Sequence, residues 1–149
     1  MTPAGTACGS LLFSFDPLNR HSGGGVLNYV MVMVGAAAGG LARYVLSSAI
    51  AGRFGGNFPM GTFIVNLSGS FLIGLIMTLI TERWVAHPWW RLLLVVGVLG
   101  GYTTFSSLEY ETLQAMRRGL PAIGLVYAFG SLVIGYFAAW LGMVIAAKL

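Results

Sequence analysis

Thr103, Thr104, Ser106 and Ser107 crowd four hydroxyls into five positions, directly behind Gly97, Gly100 and Gly101. Hydroxyls beside loosened backbone supply what a dehydrated ion needs: donors for an anion and carbonyl oxygens for a cation. The stretch lies inside an apolar run. In a bilayer an unpaired backbone group is costly, and a broken helix persists only where it lines a cavity or coordinates something. The chemistry implied is ion coordination. Glycine, serine and threonine also serve close helix packing in membranes; the coincidence of hydroxyls and glycines favours a functional break.

Asn66 stands between Val65 and Leu67 in the preceding apolar run, where a carboxamide must find partners or water. Thr62, Asn66, Gly69 and Ser70 recur at spacings of three and four and so share one helical face. That face is either a pore wall or a small-residue seam with one hydrogen-bonding asparagine. Arg43 falls in the first apolar run, at a cost of about 2.5–3.5 kcal/mol for a helix centre. It either snorkels to the near interface or lines an electropositive vestibule that draws anions in. Phe105 follows Thr104 at the break, and a ring edge carries partial positive charge that an anion can rest against. Tyr127 and Ser131 are four apart, with Gly124 and Gly135 on a related face; they form a polar track or a packing seam. Glu109 and Glu111 are two apart and cannot share a face. One of them is expected to pair with Arg117 or Arg118 near the membrane edge, or with Arg43. No second acid or histidine stands where a proton-relay partner would be needed, so no enzyme is expected.

The elements that must position these residues are transmembrane helices. The chain has 149 residues, 57% hydrophobic and 8% charged, with a mean hydropathy of +0.84; soluble domains carry about 25% charged residues. Its net charge of +4 is scattered, with no basic run suited to nucleic acid. Cys8 is the single cysteine and cannot form an internal disulfide, and His21 and His87 lie outside the apolar runs, so no side-chain metal site is indicated. Four apolar segments, at about 27–52, 60–81, 91–115 and 120–147, are each long enough to cross a hydrocarbon core of about 30 Å. Turn residues separate them, and Trp84, Trp89 and Trp90 flank the second connection, where indoles favour the headgroup level. Residues 1–26 are read as a disordered lead without the pattern of a secretory signal, and 27–149 as a four-helix transmembrane channel domain.

Four spans leave little protein interior, so a path for ions calls for a second subunit. One face carries Arg20, Arg83, Arg91 and Lys148, and the other Arg53, Arg117 and Arg118. Four against three is no clear bias under the positive-inside rule. A chain so balanced is expected to insert both ways and to form an antiparallel dimer.

Three motifs, in order, resemble the Fluc fluoride channels (the CrcB family). They are Gly39-Gly40-Leu-Ala-Arg43-Tyr44, the run from Gly61-Thr62 through Asn66 to Phe71, and the run from Gly97 through Gly100-Gly101-Tyr-Thr103-Thr104-Phe105 to Ser106. The likeness covers about residues 27–147. It implies an all-α, dual-topology homodimer in the bacterial inner membrane, with two antiparallel pores selective for fluoride. Asn66 matches the pore asparagine, and Phe105 the first of the phenylalanines whose ring edges face fluoride. Gly100 and Thr103 match positions whose backbone carbonyls, from both subunits, hold a structural sodium ion. Arg43 matches the vestibule arginine, Ser131 a polar-track hydroxyl and Glu111 a retained acid. Thr62, Thr104, Ser106, Ser107 and Tyr127 complete the expected pore lining. One departure stands out: the family's usual second phenylalanine is Leu108 here, so coordination at that level falls to Ser106, Ser107 or water. Two other classes compete. A proton-coupled exporter of the small multidrug resistance type needs a carboxylate in the first span, which has none. A non-transporting assembly subunit would use its glycine faces for packing alone.

Overall fold

The computed structural model describes residues 25–54, 56–83 and 88–149. Of the expected lead, Gly25 and Val26 already belong to the first helix, and the rest lies outside the described residues. Helix α1 runs Gly25–Arg53 and α2 Met60–Thr78, the latter continuing as a π-helical turn over Leu79–Arg83. The third span is composite. A short α3 (Pro88–Trp90) leads into a π-helical run over Arg91–Leu99, and α4 (Gly100–Tyr102) ends it. After two extended residues, α5 (Phe105–Arg117) completes the crossing, and α6 (Pro121–Lys148) returns. Four helical segments are long and apolar enough to span a membrane, and no strand occurs among the described residues. The four-span architecture expected from the sequence is thus present, with the third span interrupted.

Glycines set how closely these helices approach. A Cβ placed on Gly97 of the third span would lie 2.8 Å from Gly35 Cα on α1, and one on Gly101 2.5 Å from the Ala36 carbonyl oxygen. A Cβ on Gly39 would collide with the carbonyl of Val98. Gly35/Gly39 and Gly97/Gly101 are pairs four apart, the small-residue spacing that lets membrane helices touch backbone to backbone. On the other side α2 meets α6 in the same way, with Gly142 against Phe71 and Gly74 against Ala139.

The α5–α6 corner has a local cause. Gly119, at φ 77°, adopts the left-handed conformation. Its N–H reaches the Met116 carbonyl at 3.1 Å, while that of Leu120 reaches Ala115 at 3.0 Å. This glycine-terminated pattern satisfies the last carbonyls of a helix, and Pro121 then starts α6, where its missing N–H costs nothing. One face of α6 packs inward through Gly124, Tyr127, Gly142 and Ala146, while the other leaves Val126, Phe129, Leu132, Tyr136 and Phe137 exposed. Such a surface belongs against lipid or another chain.

Candidate functional site

The interruption is made by α2. In an unbroken helix the Thr104 N–H would bond the Gly100 carbonyl. Instead it donates to Asn66 Oδ1 at 2.8 Å, and Asn66 Nδ2 donates back to the Thr104 carbonyl at 2.9 Å. One carboxamide therefore clamps both polar groups of one residue. Thr103 and Thr104 are extended, at ψ 156° and 116°. Thr103 still holds the helix behind it, both its N–H and its Oγ1 donating to the Leu99 carbonyl at 3.0 Å. Thr104 caps the helix ahead: its Oγ1 accepts from Ser107 N–H at 3.3 Å and lies 3.1 Å from Ser107 Oγ and 3.3 Å from Ser106 Oγ. Such capping is what threonine contributes at a helix start.

Two helix ends of opposite polarity consequently face each other within the membrane. The Gly100 carbonyl has lost its helical partner to Asn66, and the carbonyls after it stand beyond the last helical turn. The residues expected to hold a cation, Gly100 and Thr103, both line a cavity of about 480 Å³ beside the break. Asn66, Ser70, Thr104, Phe105, Leu108 and Ser131 share its wall. Phe105 is 67% exposed, whereas Leu108, one turn on, is 5% exposed. Ser131 Oγ is buried with no hydrogen-bond partner among the described residues.

A second cavity, of about 320 Å³, opens at the end of the bundle where α1 meets α2. Ser47, Ser48, Thr62 and Glu111 lie on its wall. Thr62 Oγ1 donates to Glu111 Oε1 at 2.8 Å, and Tyr127 Oη donates to Oε2 at 2.6 Å. The expected pairing of an acid with Arg117, Arg118 or Arg43 is therefore corrected for Glu111. Both its oxygens are taken by hydroxyls, from α2 and α6, because the carboxylate points into the bundle. Arg118 bonds Gln114 instead, at 3.0 Å, and Glu109 lies on the exposed side of α5.

Thr62, Asn66 and Gly69 face the third span as their spacing predicts, contacting Glu111, Thr104 and Thr103 in turn, whereas the Ser70 hydroxyl lies beside Gly135 of α6, on the wall of the larger cavity. Tyr127 is fully buried and joins the Glu111 cluster, while Ser131, one turn deeper, reaches the larger cavity. Arg43 lies on the wall of neither of these cavities. Sequence reasoning missed Phe58, whose ring meets Tyr127 edge-on with centroids 5.4 Å apart. It sits in the α1–α2 connection, where no periodicity points to a partner. It also missed Ser68, which reaches Tyr102.

Comparison with known proteins places this geometry in context. The family model described as "CrcB-like protein, Camphor Resistance (CrcB)" matches residues 30–143. A protein of Solibacter usitatus named fluoride-specific ion channel FluC is 53% identical over 122 residues, covering 82% of this chain and all of the relative. Proteins of the same name from Acidobacterium capsulatum (43% over 123 residues, 83% of this chain and 98% of the relative) and Thermus thermophilus (50% over 114 residues, 76% and 90%) are similar too.

Proposed function

The chain belongs to the CrcB family, and on that premise we propose that it is a fluoride-selective channel giving passive export of cytosolic fluoride. It is a multi-pass protein of the bacterial inner membrane, and its family is one of ion channels, not enzymes. Fluoride enters cells as the neutral weak acid, ionises inside and leaves through the pore, which confers resistance to fluoride toxicity.

The observation that carries this reading is the Asn66 clamp on Thr104. It holds a membrane helix open beside a cavity whose wall offers donors but no carboxylate. A small, tightly hydrated anion passes only where protein groups replace its water. Asn66 has a second N–H beyond the one given to Thr104, Ser131 has an unused hydroxyl, and Phe105 offers its ring edge. Ser106 and Ser107 stand at the start of α5. Leu108 supplies shape alone.

The path is completed by a second, inverted copy. Phe105 and Leu132 line the larger cavity, yet they are 67% and 58% exposed in one chain, so its outer wall is missing. A twofold partner supplies the same residues in return and yields two pores per antiparallel dimer. At the interface, the carbonyls of Gly100 and Thr103 from both copies are suited to a sodium ion, because hard cations take oxygen donors and the Gly100 carbonyl has been left without its helical partner. The ion's contribution is structural: it neutralises carbonyls and tightens the dimer, and is not coupled to transport. Loss of flux on removing external sodium would argue for coupling instead.

Proteoliposomes loaded with fluoride and read by a fluoride electrode test the proposal. Fast, uncoupled release that chloride does not inhibit supports it. Dependence on a pH gradient indicates a proton-coupled exporter, and silence a non-transporting subunit; either result overturns the channel.

A further inference from the structure

Ser68 is the α2 hydroxyl that falls off the ion-facing stripe. Its Oγ donates to the carbonyls of Ile64 at 2.8 Å and Val65 at 3.1 Å, which uses its single proton. Tyr102 Oη lies 2.8 Å from the same oxygen. Either hydroxyl can donate across that bond; with the Ser68 proton on its own helix, the donor is the tyrosine. Tyr102 is 9% exposed and is the last helical residue before Thr103 turns extended. A Cβ on Gly69 would come within 3.3 Å of Tyr102 Cδ1, so the ring lies directly on the α2 backbone. Helix α2 thus grips the interruption at two points, with Ser68 holding the residue before Thr103 and Asn66 the residue after it.

We propose that the Tyr102–Ser68 hydroxyl pair is a positioning device for the break. By fixing the Tyr102 side chain against α2, it fixes the direction of the flanking Gly100 and Thr103 carbonyls. This deepens, and rests on, the reading of those carbonyls as a sodium site. The donor assignment gives it a signature. Ser68→Ala strands a buried tyrosine hydroxyl, whereas Tyr102→Phe removes a donor and leaves Ser68 bonded to its own helix. Leaving a buried donor unpaired is the costlier change.

The test uses the full chain purified in detergent. The midpoint for thermal dissociation of the dimer is measured against sodium chloride, with ionic strength held constant by N-methyl-D-glucamine chloride. A ligand that binds the assembled form raises its midpoint, so the wild-type midpoint is expected to rise with sodium. Ser68→Ala is expected to raise the half-effective sodium concentration about tenfold and Tyr102→Phe about threefold, in keeping with one buried hydrogen bond. The double variant should recover most of the Ser68→Ala shift. A role in packing alone would lower the midpoint at every sodium concentration and leave the half-effective concentration unmoved. That pattern, or a double variant no better than Ser68→Ala, overturns the proposal. If the wild-type midpoint ignores sodium, the cation reading falls by itself. Amide hydrogen exchange at Thr103 and Thr104 then decides the positioning role: faster exchange in Ser68→Ala than in wild type sustains it, and equal rates end it.

Discussion

Asn66 spends its oxygen and one of its N–H donors on the backbone of Thr104, and this sets what a substitution there does. Asn66→Asp keeps an acceptor for the Thr104 N–H but faces the Thr104 carbonyl with a second acceptor. It also places negative charge on an anion path. An unpaired buried group costs about 1–3 kcal/mol, so fluoride release is expected to fall at least tenfold, and wild-type release would remove Asn66 from the path. Phe105→Ile discards the ring edge while keeping apolar bulk. Release should drop strongly while the dimer still elutes intact from a sizing column; undiminished release would show that the ring takes no part. Leu108→Phe asks the converse question. Leu108 is 5% exposed but borders a cavity of about 480 Å³, so a ring there has room to turn, and release is expected to equal or exceed wild type. Loss of release with the dimer intact would mean that the leucine shape is itself required. At this scale the sequence was informative wherever spacing along one helix decides the outcome. The shared face of Thr62, Asn66 and Gly69 was readable in that way, whereas the capping role of Thr104 was not. Partners on other helices were not: Glu111 had arginines near it in sequence, yet hydroxyls of α2 and α6 are what reach it.

Helix packing in this chain turns on where a backbone must touch another backbone. Gly39 and Gly40 are neighbours in one motif, but a Cβ on Gly39 would meet the Val98 carbonyl while one on Gly40 meets nothing within 4 Å. Gly39→Ala is therefore expected to separate α1 from the third span and to cost about 1–3 kcal/mol. Gly40→Ala should leave the packing of the single chain unchanged. Thermal unfolding of the two variants in the same detergent compares them directly, and equal midpoints would contradict the close approach. The span boundaries were legible because apolar length and turn residues are local signals: 60–81 from the sequence coincides with Met60–Thr81 in the structure. The winding of the third span was not. Its π-helical run over Arg91–Leu99 has no periodic signature in an all-apolar stretch, and single-turn bulges are the commoner form of such winding. The break itself was foreseeable from glycines and hydroxyls, whereas the residue that opens it lies 38 positions away on α2.

For the molecule as a whole, the proposed second copy has exposed surface to cover. Phe105 and Leu132 on the wall of the chain's larger cavity are exposed, as is the apolar face of its fourth span that carries Phe129, Tyr136 and Phe137. The even spread of Lys and Arg across the two membrane faces was visible in the sequence and supplies a reason for two orientations; which surfaces meet was not, because an interface rests on shape that no single-chain periodicity encodes. On the account proposed here, the inverted partner completes both the anion path and the carbonyl site, so the orientation of inserted chains bears most directly on it. A Cys8→Ser chain carrying one cysteine after Leu149, expressed at native level, can be labelled in sealed inner-membrane vesicles with a membrane-impermeant maleimide before and after permeabilisation. About half of the C-termini should react before permeabilisation, as two opposed copies in equal number require. Labelling of nearly all or nearly none would show that every copy points the same way, and would contradict the account.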